Sequence, residues 1–150
     1  MIRRLTLVAA LAACGTEDTG PEPDFPSDYA ATFTEVRNCR SSADHDLHKI
    51  RILADPAALA PYRDRTPFPE GAIVLKEEYD FADGACAGPL LQWTVMTKLA
   101  EPDIIPVRTW HWQRVDPART VVEDDAGRCK NCHAGCGSPP DGFDATCAMP

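Results

Sequence analysis

The run Cys129-Lys130-Asn131-Cys132-His133 constrains this chain more than any other feature. A C-x-x-C-H run brings two thiols and an imidazole onto one helical turn. Two thiols at that spacing reach the two vinyl groups on one edge of a porphyrin, and the adjacent histidine then lies under the iron. The run therefore reads as a c-type haem attachment site, with thioethers at Cys129 and Cys132 and an iron ligand at His133. A zinc site would need a second ligand pair at matching spacing, which is missing. A thioredoxin-like dithiol would sit in a βαβ pattern, and none surrounds the run. A pair of ordinary disulfide cysteines would leave the following histidine unexplained. One run implies one covalent haem c.

The remaining cysteines support this assignment. The chain has seven cysteines, an odd number that needs explaining. Arg3 and Arg4 precede the apolar run Leu5 to Ala13, which is too short to span a bilayer and reads as an export signal. The run ends Leu11-Ala12-Ala13-Cys14-Gly15, which resembles a bacterial lipobox with Cys14 acylated after cleavage. A plain signal peptide cut near Ala13 is the other reading. With Cys14 given to lipid and Cys129 and Cys132 to haem, Cys39, Cys86, Cys136 and Cys147 remain, an even set suited to disulfides in an oxidising compartment. Four cysteines allow three pairings. The short loop favours Cys136–Cys147, with Cys39–Cys86 as the second bridge.

These readings divide the chain into a signal peptide at 1–13, a lipidated flexible tether at 14–28 and a folded domain at 29–150. The stretch from Gly15 to Asp28 holds Gly, Thr, Glu, Asp, Pro, Ser and one Phe, too little apolar content to fold alone. The localisation expected is the periplasm or cell envelope, with membrane attachment through the lipid. Cleavage removes two arginines and no acids, taking the formal charge from −8 to −10. A domain this acidic does not seek nucleic acid.

Within the domain the pattern predicts mostly strands. Tyr29 to Arg37 reads as a short helix capped by Ser27 or Asp28. His48 to Ala54 reads as a strand with Ile50 and Ile52 on one face. Asp55-Pro56 opens a helix over Ala57 to Arg63. Phe68-Pro69-Glu70-Gly71 is a turn, and Ala72 to Tyr79 a strand. Leu90 to Leu99 and Ile104 to Val115 are two further strands, separated by a turn at Pro102-Asp103. The fold class expected is mostly β (α+β), a large antiparallel sheet with short helices and a C-terminal haem-binding segment. Ordinary small cytochromes c are helical and carry the haem motif near the N-terminus.

The stretch Ile52-Leu53-Ala54-Asp55-Pro56, the short helix, the segment from Phe68 to Glu77, the Trp-rich strands and the late C-x-x-C-H together resemble the cytochrome P-460 family. The resemblance covers roughly residues 30–150 and follows the element order throughout. It implies a small periplasmic monohaem protein with a large antiparallel sheet, usually a homodimer, with a fold shared by the beta-type cytochromes c′. Enzymes of that family oxidise hydroxylamine, and a lysine on the strand after the turn is cross-linked to the porphyrin edge. Lys76 stands at the matching place. Its other reading is a strand lysine facing solvent or paired with Glu77 or Glu78. The family also uses a carboxylate over the open haem face as proton acceptor. Asp141 and Asp144 stand in the matching region, although acids in a Pro/Gly loop also serve as plain surface charge. The short tail with Cys136 and Cys147 departs from the family pattern.

A sixth iron ligand would decide the chemistry. The candidates are His45, His48, His111, Met96 and Met149; the resemblance implies a five-coordinate iron. On a strand, His111 points away from Trp110 and Trp112. Trp93, Trp110, Trp112 and Phe81 serve equally as haem wall, sheet core or dimer surface. Three functions follow. One is an oxidoreductase acting on hydroxylamine or a similar small nitrogen species and passing electrons to an acceptor protein. The second is a trap for NO without turnover. The third is a membrane-tethered electron-transfer cytochrome without catalysis.

Overall fold

The computed structural model describes residues 20–100 and 103–147. The expected signal peptide, Cys14, Pro102 and Met149 lie outside the described residues. Among the described residues, six strands form one sheet in the order β1-β2-β3-β4-β5-β6, every neighbouring pair antiparallel. The strands are β1 (Thr34–Ser41), β2 (Lys49–Ala54), β3 (Ile73–Tyr79), β4 (Leu90–Lys98), β5 (Trp110–Val115) and β6 (Val121–Asp124). Three short helices accompany them: α1 (Tyr29–Thr32), α2 (Pro56–Asp64) and α3 (Gly127–His133). The mostly β, α+β expectation holds. No described helix is long and apolar enough to cross a membrane.

Strand alternation splits the side chains between two faces. Registers place Ala54, Val74, Met96 and Trp112 in one cross-strand row and Ile52, Lys76, Thr94 and Arg114 in the next. This face carries the larger core, with Ile50, Ile52, Val74, Met96, Trp110 and Trp112 packed against Tyr62 of α2 and against Phe68. The opposite face holds a smaller core of Leu75, Trp93, Val95 and Val115, closed by Phe25. The helix α2 starts where expected. Pro56 suits the first turn, and the Asp55 carboxylate accepts from Ala58 N at 2.7 Å and from Ile73 N at 3.1 Å.

The fold differs from the sequence expectation in three places. The helix expected over Tyr29 to Arg37 is a single turn, because Phe33 is extended (φ −87°, ψ 150°) and the chain enters β1 at Thr34. Tertiary ties then outweigh local helix propensity: β1 pairs with β2, and Cys39 is bonded to Cys86. The strand expected from Ile104 begins only at Trp110, since Pro106 opens a 3₁₀ turn through Thr109. The short strand β6 was not anticipated; it is half exposed and offers only Val121 and Val122 as a signal.

The tether expected over 14–28 is packed against the sheet from Glu22 onward. Phe25 is 2% exposed and meets Tyr29 and Trp93 with ring centroids 5.3 Å apart in each case. Asp24 N donates to the Gln113 amide oxygen at 2.8 Å, and the Asp24 carboxylate bonds His111 at 2.6 Å. A low apolar content does not prevent a segment from docking on a face that another element supplies.

Candidate functional site: an apolar cavity beneath the C-x-x-C-H helix

Helix α3 carries Cys129, Cys132 and His133 to the larger core face of the sheet. Among the described residues these two cysteines are the free ones, Cys129 half-buried and Cys132 exposed. The other four form Cys39–Cys86 and Cys136–Cys147. Both thiols and His133 line a cavity of about 550 Å³. Its floor is the sheet itself, through Ile50, Ile52, Val74, Lys76, Thr94, Met96 and Trp112. A volume of this size is typical of cofactor and ligand sites.

The loop after α3 fixes the histidine. Asp144 and Ala145 both adopt left-handed backbone (φ 47° and 66°). The Ala145 carbonyl, so turned, accepts from His133 Nδ1 at 2.7 Å. The Asp144 carbonyl accepts from Trp110 Nε1 at 2.9 Å. Trp112 stacks edge-on against the His133 ring at 4.6 Å. Burial, with Lys76 nearby, holds the His133 imidazole down at about 4. The ring is therefore neutral, with Nδ1–H committed to the backbone and the Nε2 lone pair left to a metal. Two unpaired thiols, a histidine with one oriented nitrogen and an apolar cavity form a donor set that fits a covalently held haem.

Lys76 enters the same cavity from the centre of β3. Its amine does not pair with Glu77 or Glu78. Instead it meets His45 Nε2 in a short hydrogen bond. Burial lowers the amine to about 8 against the pull of Glu78. His45 Nδ1 bonds Glu78 Oε1 at 3.1 Å, and His48 Nδ1 bonds Glu78 Oε2 at 2.8 Å. Gln92 Nε2 and Thr94 Oγ1 donate to the same carboxylate at 2.9 and 3.2 Å. Glu78 is 1% exposed. Burial alone would raise its carboxyl; the hydrogen bonds from His45, His48 and Gln92 prevail and hold it at about 2.

The other expected site residues separate clearly. Asp141 lines the cavity. The Asp144 carboxylate is held by Lys98 Nζ at 2.6 and 2.9 Å, and Lys98 also lies over the Trp110 ring. Met96 lines the cavity, whereas His48 sits on Glu78. His111 points to the far face, between Asp24 and Asp124, as its flanking tryptophans require. Trp112 walls the cavity, Trp110 packs on Phe68, Trp93 belongs to the opposite core and Phe81 is exposed. His45, expected as a candidate iron ligand, lines the cavity with its Nε2 on Lys76, while Asp44 and Glu78 are neighbours of the site with no role expected from the sequence. Glu78 carried a usable signal, since it lies two residues from Lys76 on the same strand and so shares its face. Asp44 and His45 reach the site through a loop whose path no periodicity reveals.

A six-stranded antiparallel sheet with a C-x-x-C-H helix over an apolar cavity defines a β-rich haem protein, unlike the helical cytochromes c. The family model for cytochrome P460 matches residues 26–138, and the chain belongs to that family. The family implies a haem cofactor. The match ends before Asp141, Asp144, Ala145 and Cys147, so the loop that orients His133 lies beyond it. A search of curated proteins gave no match.

Proposed function

We propose that this protein is an exported, lipid-anchored monohaem cytochrome that oxidises hydroxylamine or a similar small nitrogen species. Cys129 and Cys132 would hold the haem as thioethers, and His133 would bind its iron. The observation that carries the reading is the entry of Lys76 into the cavity that receives Cys129, Cys132 and His133. A lysine amine in that cavity supports a bond to the porphyrin edge of the kind the family pattern implies. The haem, when bound, supplies one-electron redox chemistry. The chain supplies the rest. Apolar side chains exclude water, His133 presents Nε2, and Asp141 is the cavity carboxylate available to take a proton from substrate. Asp144, clamped by Lys98, serves the loop.

The test is reduction of an external electron acceptor by haem-bearing protein supplied with hydroxylamine. Turnover by the wild type and its loss in Lys76→Ala support the reading. An unchanged spectrum and unchanged turnover in Lys76→Ala refute it, and tight NO binding without turnover would select a gas trap instead. Met96 on the cavity wall favours a second reading, an electron carrier in which a thioether takes the sixth position. A low-spin iron in both redox states would select that reading.

A further inference from the structure

We propose that His45, oriented by Glu78, is the base that takes the proton from Lys76 when the lysine bonds the porphyrin edge. This rests on the Lys76 link proposed above and adds to it the residues that make the link form.

The hydrogen bonds dictate the roles. Glu78 is a carboxylate and can only accept. It accepts from Gln92 and Thr94 as well as from both histidines, so His45 must place its proton on Nδ1. The His45 Nε2 lone pair then faces Lys76 Nζ. A nucleophile, a histidine and a carboxylate in series form the arrangement that activates side-chain nucleophiles elsewhere. Glu78 stabilises the positive charge His45 acquires, and His48 fixes the second oxygen of Glu78 at 2.8 Å.

The chemistry balances with a peroxide-class oxidant. One N–H bond of the neutral Lys76 amine and one C–H bond of the porphyrin edge break, and one N–C bond forms. The N–H proton passes to His45 Nε2. Two protons and two electrons leave in total, and hydrogen peroxide takes both pairs to become two waters.

The experiment uses full-length protein matured anaerobically with its haem and then treated with hydrogen peroxide. Linkage is followed by the mass of the Lys76 peptide joined to the Cys129–Cys132 haem peptide, short of their sum by two hydrogens. Rates are counted per haem-bearing molecule, so poor maturation of a variant does not enter. His45→Ala should slow linkage about 100-fold, the scale of a lost general base. His45→Gln, which keeps the bulk, should slow it similarly, and Glu78→Gln should slow it less. Linkage at the wild-type rate in the two His45 variants overturns the proposal and leaves the Lys76 link standing. A wild-type protein that never links overturns the Lys76 link, and this proposal with it.

Discussion

Glu78→Gln should destabilise the haem-bearing protein by about 3 kcal/mol at neutral pH. Glu78 is 1% exposed and accepts from His45, His48, Gln92 and Thr94 at 2.8–3.2 Å. A glutamine side chain keeps one acceptor oxygen and turns an NH₂ toward donors. At least one buried donor then loses its acceptor, at about 1–3 kcal/mol each, with the upper end applying because the acceptor lost is a charged carboxylate. The carboxyl's displacement from an ordinary 4.5 to about 2, caused by those same hydrogen bonds, corresponds to about 3 kcal/mol. The assay is urea unfolding with both disulfides intact. At a slope of about 2 kcal/mol per molar, the midpoint should fall by about 1.5 M. The pH dependence has a definite sign. A carboxyl lowered in the folded state stabilises fully above its unfolded value, about 4.5, and that stability disappears as pH falls towards about 2. The part of the gap that comes from Glu78's own titration should therefore be full above about pH 5 and close in acid. A midpoint shift below about 0.3 M at neutral pH, or a gap that persists unchanged at pH 2, refutes the reasoning.

The packed segment ahead of α1 gives a second expectation. Phe25→Ala should cost about 3–5 kcal/mol in the same assay, since a flexible tether would contribute nothing. On that face Tyr29 donates to Glu77 at 2.7 Å and accepts from Trp93 Nε1 at 3.1 Å, so Tyr29→Phe should cost about 1–3 kcal/mol. Replacing Cys136 and Cys147 together by serine opens a bridge of sequence separation 11 and should lower stability by about 3 kcal/mol in a denaturation titration. Gly142 leaves no room for a side chain, as a Cβ there would lie 2.5 Å from Thr146 O and 2.7 Å from Cys136 O. Gly142→Ala should displace the loop that holds His133 and reduce the yield of haem-bearing protein, measured as haem per polypeptide.

Much of the site was legible where chemistry fixes spacing. The C-x-x-C-H run, the odd cysteine count and the position of Lys76 after the turn all depend on local order. Strand alternation added the orientation of His111 away from Trp110 and Trp112. The rest depends on tertiary placement. The loop from Ser42 to His48 turns through left-handed residues Asp46 and Leu47 and brings His45 to Lys76. Asp141 and Asp144 are indistinguishable as acids in a Pro/Gly loop until Lys98, on β4, captures one of them. Phe25 looked like a stray aromatic in a polar stretch because its partners, Trp93 and Arg119, lie far along the chain.

The absorption spectrum of the ferrous protein, made with c-type haem maturation machinery, reports whether Lys76 is bonded to the porphyrin. A strongly red-shifted Soret band is predicted, the sign of a porphyrin modified at its edge by Lys76. An ordinary c-type spectrum would contradict the Lys76 link and leave gas binding or electron transfer as the function of the cavity.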